Sequence, residues 1–242
     1  MMDQVKPYNQ LESKKSQVKK MFDSIAKTYD FNNRLLSFRI DVLWRNQLIK
    51  ALKYQKAKNI LDVATGTGDV ALEMAKKISG STITGIDISA GMLEVGQKKI
   101  VQQKLSNQVK IGLGDAEAIE HHDNSFDAVT VAFGVRNFER LEIGLAEMLR
   151  VLKPGGILAI LEFSHPKKQP VSAFYNFYFS KILPQIGKMT SKDPSAYKYL
   201  YESVKAFPEG DNFVEILRKI GGINPECKTL SFGICSLYIV YK

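Results

Sequence analysis

The stretch Asn59-Ile-Leu-Asp-Val-Ala-Thr-Gly-Thr-Gly-Asp69 joins a short apolar run to two glycines and ends on a carboxylate. A buried strand that feeds a Gly-x-Gly turn and then a helix brings backbone N–H groups close to a ligand, because only glycine lets the main chain approach so nearly. The stretch therefore predicts a ligand-binding strand, turn and helix at the start of an α/β fold.

Two classes of ligand fit the spacing of this turn. Gly66, Gly68 and Ala71 satisfy the G-x-G-x-x-A pattern of a dinucleotide site. A pyrophosphate at the helix N-terminus, however, would face Asp69, and like charges a few Å apart repel by an energy on the order of kcal/mol even with strong screening. S-adenosylmethionine carries an ammonium and a sulfonium and no phosphate. The carboxylates therefore favour it as the cofactor, with Asp62, Gly66 and Gly68 among its contacts.

Strand-like and helix-like segments alternate from this turn onward. Strands are predicted at 58–63, 82–87, 108–113, 126–132 and 156–163, and helices at 68–78, 90–104 and 140–151. Such alternation predicts a mostly parallel sheet covered by helices. Two amphipathic helices joined by a polar loop from Asp30 to Arg39 precede it, and a helix near 211–220 and an edge hairpin of strands 229–234 and 236–241 follow it. We expect a Rossmann-like α/β fold with a seven-stranded sheet.

Length and composition predict one domain. A chain of 242 residues, 45% of them hydrophobic, can bury one sizeable core. Its expected parts are N-terminal helices over the substrate side (1–55), a cofactor-binding core (56–164), an aromatic insertion or lid (165–210), and a C-terminal helix with the edge hairpin (211–242). The start of the chain is polar, and no apolar run approaches the roughly 20 residues that span a bilayer, so we expect a cytoplasmic protein. The two cysteines predict neither a disulfide nor a metal site.

An acidic residue ends the second predicted strand. Asp87 lies about twenty positions after the glycine turn, where a carboxylate accepts hydrogen bonds from both ribose hydroxyls of a nucleoside, and Ile88 lies beside it. The alternative is that Asp87 caps the helix beginning near Ala90, a role that Ser89 could also fill.

Another acidic residue follows the third predicted strand. Asp115 and the N–H of Ala116 could read the edge of an adenine, because parallel strands end on the same edge of a sheet and ligands bind there. The alternative is a solvated loop aspartate.

The segment Ala132-Phe133-Gly134-Val135-Arg136-Asn137 follows the fourth strand on that same edge. It lacks the Asn/Asp-Pro-Pro-aromatic turn expected of an enzyme that methylates nucleobase amino groups. Arg136 offers a fixed cation and Asn137 a polar handle for a substrate oxygen anion; alternatively, Arg136 pairs with Asp127 or Glu139 and only holds the loop. His165, after the fifth strand, is either a general base or a capping or surface histidine.

The aromatic stretch 173–182 has two interpretations. If it is helical, one of its faces carries Phe174, Phe177, Tyr178 and Ile182. That face either packs on the core as a lid, or forms a wall for an apolar ligand or a membrane contact with Lys181, Lys188 and Lys192 near lipid headgroups. The formal net charge of +9 favours an anionic partner, either nucleic acid or an acidic membrane face, or else provides a solvated basic surface.

Three segments resemble the quinone C-methyltransferases of menaquinone and ubiquinone biosynthesis, the UbiE/MenG group, and the resemblance covers nearly the whole chain. They are Tyr29-Asp30-x-x-Asn33-x-x-x-Ser37 with Trp44-Arg45, the segment Ala132–Asn137, and Arg150–Gly156 continuing through Leu161–Ser164. The Leu-Lys-Pro-Gly-Gly part of the third segment is common among S-adenosylmethionine-dependent enzymes, whereas the first two segments are more restrictive.

The resemblance implies a class I methyltransferase fold and a demethylmenaquinol-like substrate with a polyprenyl tail, methylated on a ring carbon. It implies cofactor contacts at Thr67, Asp87, Asp115 and Ala116, and a further one at Ala132, where the family has a serine. Arg136 would stabilise a phenolate, with Asn137, Tyr29 or His165 placing or deprotonating the hydroxyl. The chain departs from the family pattern at four positions. It has Asn32, Arg39, Asp41 and Val42 where the family commonly has Met, Gly, His and Arg, respectively.

Other classes stay open at this point. The basic charge also suits an RNA methyltransferase, although the missing turn leads us to expect no nucleic-acid partner, and a NAD-binding oxidoreductase or non-catalytic nucleotide module fits the glycine spacing. The sequence leaves open whether the ring is a naphthoquinol or a benzoquinol, and whether the chain works alone, as a homodimer or at the inner face of a membrane.

Overall fold

The computed structural model describes residues 5–178, 180, 193 and 195–242, and every structural statement below refers to those residues. The helices are α1 (Lys14–Leu36), α2 (Ile40–Tyr54), α3 (Asp69–Lys77), α4 (Ala90–Gln102), α5 (Leu141–Val151), α6 (Val171–Phe177), α7 (Ser195–Ala206) and α8 (Asp211–Lys219). The strands are β1 (Asn59–Val63), β2 (Thr82–Asp87), β3 (Val109–Leu113), β4 (Phe126–Ala132), β5 (Leu152–Phe163), β6 (Ile223–Leu230) and β7 (Cys235–Tyr241).

These strands form one seven-stranded sheet in the order β3-β2-β1-β4-β5-β7-β6. The first five are parallel to their neighbours, and β7 runs antiparallel to both β5 and β6. The sequence-based prediction of a Rossmann-like sheet with an antiparallel hairpin at one edge is confirmed. Because β1 lies centrally and the strand order reverses beside it, the turn after β1 opens at the place where such sheets bind ligands.

The core lies on both faces of the sheet. Alternate residues of β1 face opposite sides, so Ile60 packs with Leu48 of α2 and Met74 of α3, whereas Leu61 packs with Leu145 of α5 and Phe213 of α8. A third cluster joins α1 to the aromatic insertion through Val18, Met21, Tyr175, Tyr197 and Tyr199. The insertion therefore packs against the N-terminal helix.

The structure corrects the predicted loop from Asp30 to Arg39. Helix α1 continues to Leu36, and a tight turn at 37–39 places Phe38 at φ 49° and Arg39 at φ 64° before α2 begins. The polar segment is helical because its inward side packs: Asn32 is buried and Leu36 joins the cluster with Val18 and Met21.

The predicted strand 229–234 is also misplaced. Strand β6 spans Ile223–Leu230, and Ser231–Gly233 forms a short 3-10 turn before β7. As an edge strand with one neighbour, β6 is largely exposed and carries the polar sequence Asn-Pro-Glu-Cys-Lys-Thr, so it lacks the apolar pattern used to predict strands.

The segment Lys153-Pro-Gly-Gly156 interrupts the pairing of β5 with β4. Helix α5 ends at Val151, and pairing with β4 jumps from Phe126 opposite Leu152 to Ala128 opposite Ile157. Gly155 adopts φ 75° within this excursion. Of the residues predicted to face lipid or ligand, Ile182, Lys181, Lys188 and Lys192 lie outside the described residues. Within the described part of the chain, no helix combines the length and apolarity needed to cross a bilayer.

Candidate active site

Two adjoining cavities open at the carboxyl edge of the parallel strands. The small cavity, of about 70 Å³, is lined by most of the predicted cofactor residues: Gly66, Asp87, Ile88, Asp115, Ala116 and Ala132. The large cavity, of about 220 Å³, is lined by Tyr29, Arg136 and many aromatic side chains. Phe22, Tyr29 and Phe133 contribute to both, so the two cavities share a wall.

The glycine turn supports one side of the small cavity. Gly66 adopts φ 56°, and its N–H donates to Asp87 Oδ2 at 2.8 Å. A Cβ at Gly66 would meet no atom within 4 Å, so the space beside this main chain is open to a ligand. Gly68 adopts φ 77° and begins α3, a backbone conformation that glycine reaches without strain.

Asp87 ends β2 with its carboxylate at the cavity wall. Its Oδ1 accepts from the N–H of Ser89 at 2.8 Å, and Ser89 itself caps α4 by accepting from the N–H of Met92. The alternative in which Asp87 caps α4 is therefore not the arrangement seen. Burial raises the pKa of Asp87 above its usual range, against the lowering effect of these N–H donors.

Asp115 and Ala116 line the small cavity on the β3 side. Asp115 Oδ1 accepts from the N–H of Glu117 at 2.9 Å, and Oδ2 pairs with Lys15 Nζ at 2.7 Å. Asp115 is thus a partly exposed wall residue whose two carboxylate oxygens both have protein partners. Lys15, which sequence reasoning missed, brings the start of α1 across this end of the cavity.

Three predicted contacts of the turn, Asp62, Thr67 and Gly68, lie outside both cavity walls, and the first two act through their side chains. Asp62 is fully buried and accepts from the hydroxyls of Thr65 and Thr130 at 2.6 and 2.7 Å, and burial raises its pKa to about 6. The hydroxyl of Thr67 donates to Asp30 at 2.6 Å. Both side chains hold the turn in place.

Asp69 corrects the charge argument made from the sequence. Its carboxylate pairs with Arg45 at 2.8 Å, with Arg34 at 3.4 Å and closely with Lys99. Burial raises its pKa, but these three cations outweigh that effect and hold the pKa below its usual range. Asp69 is therefore neutralised within the protein, whereas Asp87 in the wall of the small cavity accepts only from backbone N–H groups and pairs with no cation among the described residues.

Arg136 lies at the wall of the large cavity and is held by an acid that the sequence analysis did not consider. Its Nη1 donates to Glu162 Oε1 at 2.8 Å, the two side chains being 8% and 0% exposed, and its guanidinium lies 5.5 Å from the centre of the Phe163 ring. The expected alternative partners are engaged elsewhere: Asp127 pairs with Lys153, and Glu139 accepts from the backbone of Lys14. Arg136 Nε is buried and donates to no acceptor in the described part of the chain.

Asn137 and Tyr29 occupy different positions in the site. Asn137 lines the small cavity, and its buried Oδ1 accepts no hydrogen bond from the described residues. Tyr29 stands in the shared wall, where burial raises the pKa of its hydroxyl although a hydrogen bond with Asn33 lowers it.

The structure does not bring His165 to either cavity wall. Its Nε2 lies 2.9 Å from Asn176 Oδ1, its ring packs edge-on against Tyr175, and its backbone N–H donates to Glu209. These contacts tie β5 to α6 and leave His165 apart from Arg136 and Tyr29.

Sequence reasoning predicted part of the aromatic lining of the large cavity, because Phe174 and Tyr178 of the stretch 173–182 line it, but it missed the aromatic residues at the strand ends. Phe133 and Phe163 follow or end neighbouring strands and pack with ring centres 4.6 Å apart, and Trp44 lies about 6 Å from both. Their position at strand ends is a signal that the sequence already carried, because that edge of the sheet is where a ligand binds. Tyr199, by contrast, comes from α7, a helix within the predicted insertion that the sequence analysis did not predict.

The sequence was compared with protein families, and the fold with solved structures. Residues 10–242 match the model of the ubiE/COQ5 methyltransferase family. This chain belongs to that family.

Individual relatives agree with the assignment. The family member described here is 42% identical to a demethylmenaquinone methyltransferase of Bacteroides fragilis, over 99% of this chain and 98% of that protein. It is 46% identical to a ubiquinone/menaquinone biosynthesis C-methyltransferase UbiE of Geotalea daltonii, over 94% of this chain and 97% of that protein. The resemblance drawn from the three sequence segments is confirmed.

Solved structures confirm the fold. A SAM-dependent methyltransferase of Thermotoga maritima, described as a possible histamine N-methyltransferase, superposes with a TM-score of 0.65 at 19% identity, covering 93% of this chain and 99% of that one. Another from Aquifex aeolicus gives a TM-score of 0.57 at 20% identity, covering 79% and 87%. The class I methyltransferase fold is thus shared with proteins of very different sequence.

The small cavity of this ubiE/COQ5 family member suits S-adenosylmethionine. Its wall carries carboxylates at Asp87 and Asp115, which accept from hydroxyl and amino donors and attract a cation. The open space beside Gly66 admits a ligand against the main chain, and the unpartnered Asn137 Oδ1 offers one more acceptor. A dinucleotide would place its negatively charged pyrophosphate near these carboxylates, which would repel it.

Proposed function

We propose that this protein transfers a methyl group from S-adenosylmethionine to a ring carbon of a polyprenylated quinol, converting demethylmenaquinol to menaquinol. Support comes from the names of its relatives and from one structural observation: an aromatic-lined cavity that shares a wall with the small cavity. Phe133, Phe163 and Trp44 provide flat apolar faces for a fused aromatic ring.

The chemistry demands an activated ring carbon. S-adenosylmethionine supplies the methyl group, and the bond from that methyl to sulfur breaks as the bond to the ring carbon forms. An un-ionised quinol carbon is a weak nucleophile, but loss of the neighbouring hydroxyl proton moves electron density onto it. The ring carbon then releases its own hydrogen as a proton, which restores the aromatic ring and leaves S-adenosylhomocysteine as the second product.

In this proposal Arg136 stabilises the phenolate. A buried guanidinium with an Nε that lacks an acceptor can donate to a substrate oxygen without giving up its pairing with Glu162. A cation that is already in place when negative charge develops on the substrate oxygen stabilises that charge more strongly in a site without water than it would in water.

Tyr29 and Asn137 position the ligands. Because burial raises the pKa of Tyr29, its hydroxyl stays protonated near neutral pH and donates a hydrogen bond rather than removing a proton. Asn137 faces the small cavity and so acts at the cofactor side of the transfer. His165, predicted as a base, would need to leave Asn176 to act directly, so we assign it to the support of α6.

The cofactor contacts are proposed in two groups. Those that line the small cavity bind the cofactor: Gly66, Asp87, Ile88, Asp115, Ala116 and Ala132. Asp62, Thr67 and Gly68 shape the turn that carries Gly66. The proposal also includes a cytoplasmic protein working at the inner face of a membrane, since the tail of the substrate resides in lipid.

An assay with methyl-labelled S-adenosylmethionine tests this function. The purified protein is given demethylmenaquinol, its benzoquinol counterpart or RNA, each in a separate reaction. We expect label in the naphthoquinol product. The benzoquinol is the second candidate because several relatives are named for both ubiquinone and menaquinone biosynthesis. Absence of label from both quinols, or label in RNA, would refute the proposal.

A further inference from the structure

A group of exposed large apolar side chains lies on α1, α2 and α6, which line the large cavity, and on the turn between α1 and α2. We define it as the apolar rim, formed by Phe31, Leu35, Phe38, Leu43, Phe174 and Phe177. Their exposed fractions lie between 43% and 75%. Scattered single hydrophobic residues on a surface are ordinary, but a group of this size on adjoining elements is characteristic of an interaction site.

The rim is continuous although it comes from two parts of the chain. Phe31 and Leu35 lie four residues apart near the end of α1 and so share a helix face, and Phe38 follows in the turn before α2. The hydroxyl of Tyr178 donates to the carbonyl of Leu36 at 2.8 Å, which fastens the end of α6 to that corner. The ring of Phe174 stacks on Tyr178.

The rim leads directly into the large cavity. Phe38 and Phe174 belong both to the exposed rim and to the cavity lining, and the partly exposed Ile40 also lines the cavity. An apolar ligand in the cavity therefore lies next to exposed apolar side chains of α6 and of the turn between α1 and α2.

The charges beside the apolar rim are basic. Arg34 and Arg39 are the exposed charged side chains of residues 31–43, because Asp41 is buried. Lys167 and Lys168 are exposed just before α6, and residues 165–178 contain no acidic side chain. Large apolar groups ringed by arginine and lysine fit the boundary between anionic headgroups and acyl chains.

We propose that the apolar rim docks on an anionic lipid bilayer, so that a tailed quinol enters the large cavity from the membrane. This inference rests on the proposed function for its substrate, because a polyprenyl tail longer than the cavity has to remain in an apolar phase. The rim residues enter the lipid boundary, and Arg39, Lys167 and Lys168 lie at the level of the headgroups.

The first test is sedimentation with lipid vesicles. The rim variant Phe31→Ser/Leu43→Ser/Phe177→Ser changes three exposed side chains that do not line either cavity. The control variant Tyr54→Ser/Val101→Ser/Ile223→Ser changes three equally exposed apolar residues. These residues lie near the amino ends of the parallel strands, at the edge of the sheet opposite the cavities. Tyr54 comes shortly before β1, and Val101 comes shortly before β3. Ile223 pairs with Tyr241, which in turn pairs with Ile157 in the first half of β5.

We expect wild type and the control variant to bind vesicles of mixed phosphatidylglycerol and phosphatidylcholine, and the rim variant to bind at least tenfold more weakly. Equal binding by the rim variant, or no binding by wild type, would overturn the inference. A wild-type dimer that the rim variant converts to monomer, with unchanged vesicle binding, would show instead that the rim joins two copies of the chain.

The second test addresses charge. Replacing Arg39, Lys167 and Lys168 by glutamine should lower the affinity for phosphatidylglycerol vesicles by about fivefold for each cation removed at low salt. Binding to vesicles of phosphatidylcholine alone should not change. An unchanged affinity for the anionic vesicles would contradict the proposed headgroup contact.

A third measurement separates docking from catalysis. Methylation of a short-chain, water-soluble quinol should be equal in wild type and the rim variant, whereas methylation of a long-tailed quinol carried in vesicles should be slower in the rim variant. Vesicle binding as expected, without methylation of any quinol, would reject the proposed function and leave the docking surface standing. Equal rates with the vesicle-borne quinol would reject the docking route.

Discussion

Arg136 and Glu162 form an ion pair that is almost completely withdrawn from water. Removal of one partner leaves a buried charge without compensation, which typically costs about 3–5 kcal/mol of folding stability. Loss of activity in a single variant would therefore mix a folding defect with a chemical one. A pair of substitutions that removes both charges separates the two.

We predict that Arg136→Gln lowers both the stability and the catalytic efficiency, and that Arg136→Gln/Glu162→Gln recovers stability but not activity. Loss of one preorganised donor to a developing oxyanion lowers kcat by about 10²–10³-fold. Urea denaturation and kcat/KM with demethylmenaquinol measure the two effects. A double variant with near wild-type kcat/KM would contradict the role of Arg136.

Trp44 is the single tryptophan of the chain, and it lines the large cavity but not the small one. We predict that a naphthoquinone quenches its fluorescence saturably, because the ring would stack within the aromatic cluster, and that S-adenosylhomocysteine has a much smaller effect. Trp44→Phe is the control that removes the signal and keeps an aromatic ring. Equal quenching by both ligands would count against the assignment of the two cavities.

At the residue scale, the sequence predicted positions better than partners. Asp87 and Asp115 lie at the carboxyl edge of the sheet, as their positions after predicted strands indicated, because the fold alone determines where that edge is. The pairing of Asp69 with Arg34, Arg45 and Lys99 depended on how α1, α2 and α4 pack, which no local pattern encodes. The expected cofactor was right, although one carboxylate used to infer it is neutralised by its own protein.

At the scale of elements, Asp69 connects four of them. It begins α3 and pairs with residues of α1, α2 and α4, while Lys99 of α4 also pairs with Asp30 of α1 at 2.8 Å. This group of charges fixes the N-terminal helices against the glycine turn.

We predict that Asp69→Asn lowers the free energy of unfolding by about 2–4 kcal/mol, because it leaves Arg45 and Lys99 partly buried with one carboxylate fewer. Cofactor binding, measured by calorimetry, should weaken as the turn loosens. Glu94→Gln is the control, since it breaks an exposed pair with Lys98 and should leave the denaturation midpoint unchanged. Equal denaturation midpoints for Asp69→Asn and Glu94→Gln would show that the Asp69 ion pairs contribute no more to stability than an exposed pair does.

The turn between α1 and α2 holds Arg39 in the left-handed region at φ 64°, a conformation that favours glycine. We predict that Arg39→Gly raises the free energy of unfolding by about 0.5–1 kcal/mol, because glycine adopts this conformation without a Cβ clash. Arg39→Ala removes the same side chain but keeps the strain, and so should bring no gain. The urea midpoints of the two variants should differ, and identical midpoints would refute this explanation.

Elements with strong periodicity were predicted within a few residues, and those without it were not. The central strands are buried on both faces and therefore read as apolar runs, whereas β6 has a single neighbour and a polar sequence. The end of α1 looked like a loop because its sequence contains the polar run Asn32-Asn33-Arg34. Only packing against the aromatic insertion reveals its buried face.

At the scale of the whole molecule, Asp62 makes stability depend on pH. Its pKa of about 6 in the folded protein lies above the ordinary value of 3.8, so the folded state holds its proton more tightly than the unfolded chain does. The resulting stability is present below pH 4 and is lost as pH rises through 6.

We predict that Asp62→Asn removes this dependence. Wild type loses the contribution of Asp62 as pH rises from 4 to 7, and the variant does not. The unfolding free energy of the variant minus that of wild type should therefore increase by up to about 3 kcal/mol over this range, as a shift of about 2 in pKa implies. Urea denaturation at several pH values measures the change. Asp127→Asn is the comparison, because Lys153 and two backbone N–H groups hold the pKa of Asp127 below its usual range and its removal should give the opposite slope. Parallel pH curves for wild type and Asp62→Asn would contradict the prediction.

Helix α1 supplies Lys15 and Val18 to the small cavity, Met21 and Ile25 to the large one, and Phe22 and Tyr29 to both. In the proposed assignment of the cavities, donor and acceptor therefore contact the same helix. Any shift of that helix favoured by one ligand alters the affinity of the other, and thermodynamic reciprocity makes the factor equal in both directions. A helix that borders both cavities thus links their occupancies, so that binding of one product changes the equilibrium affinity for the other.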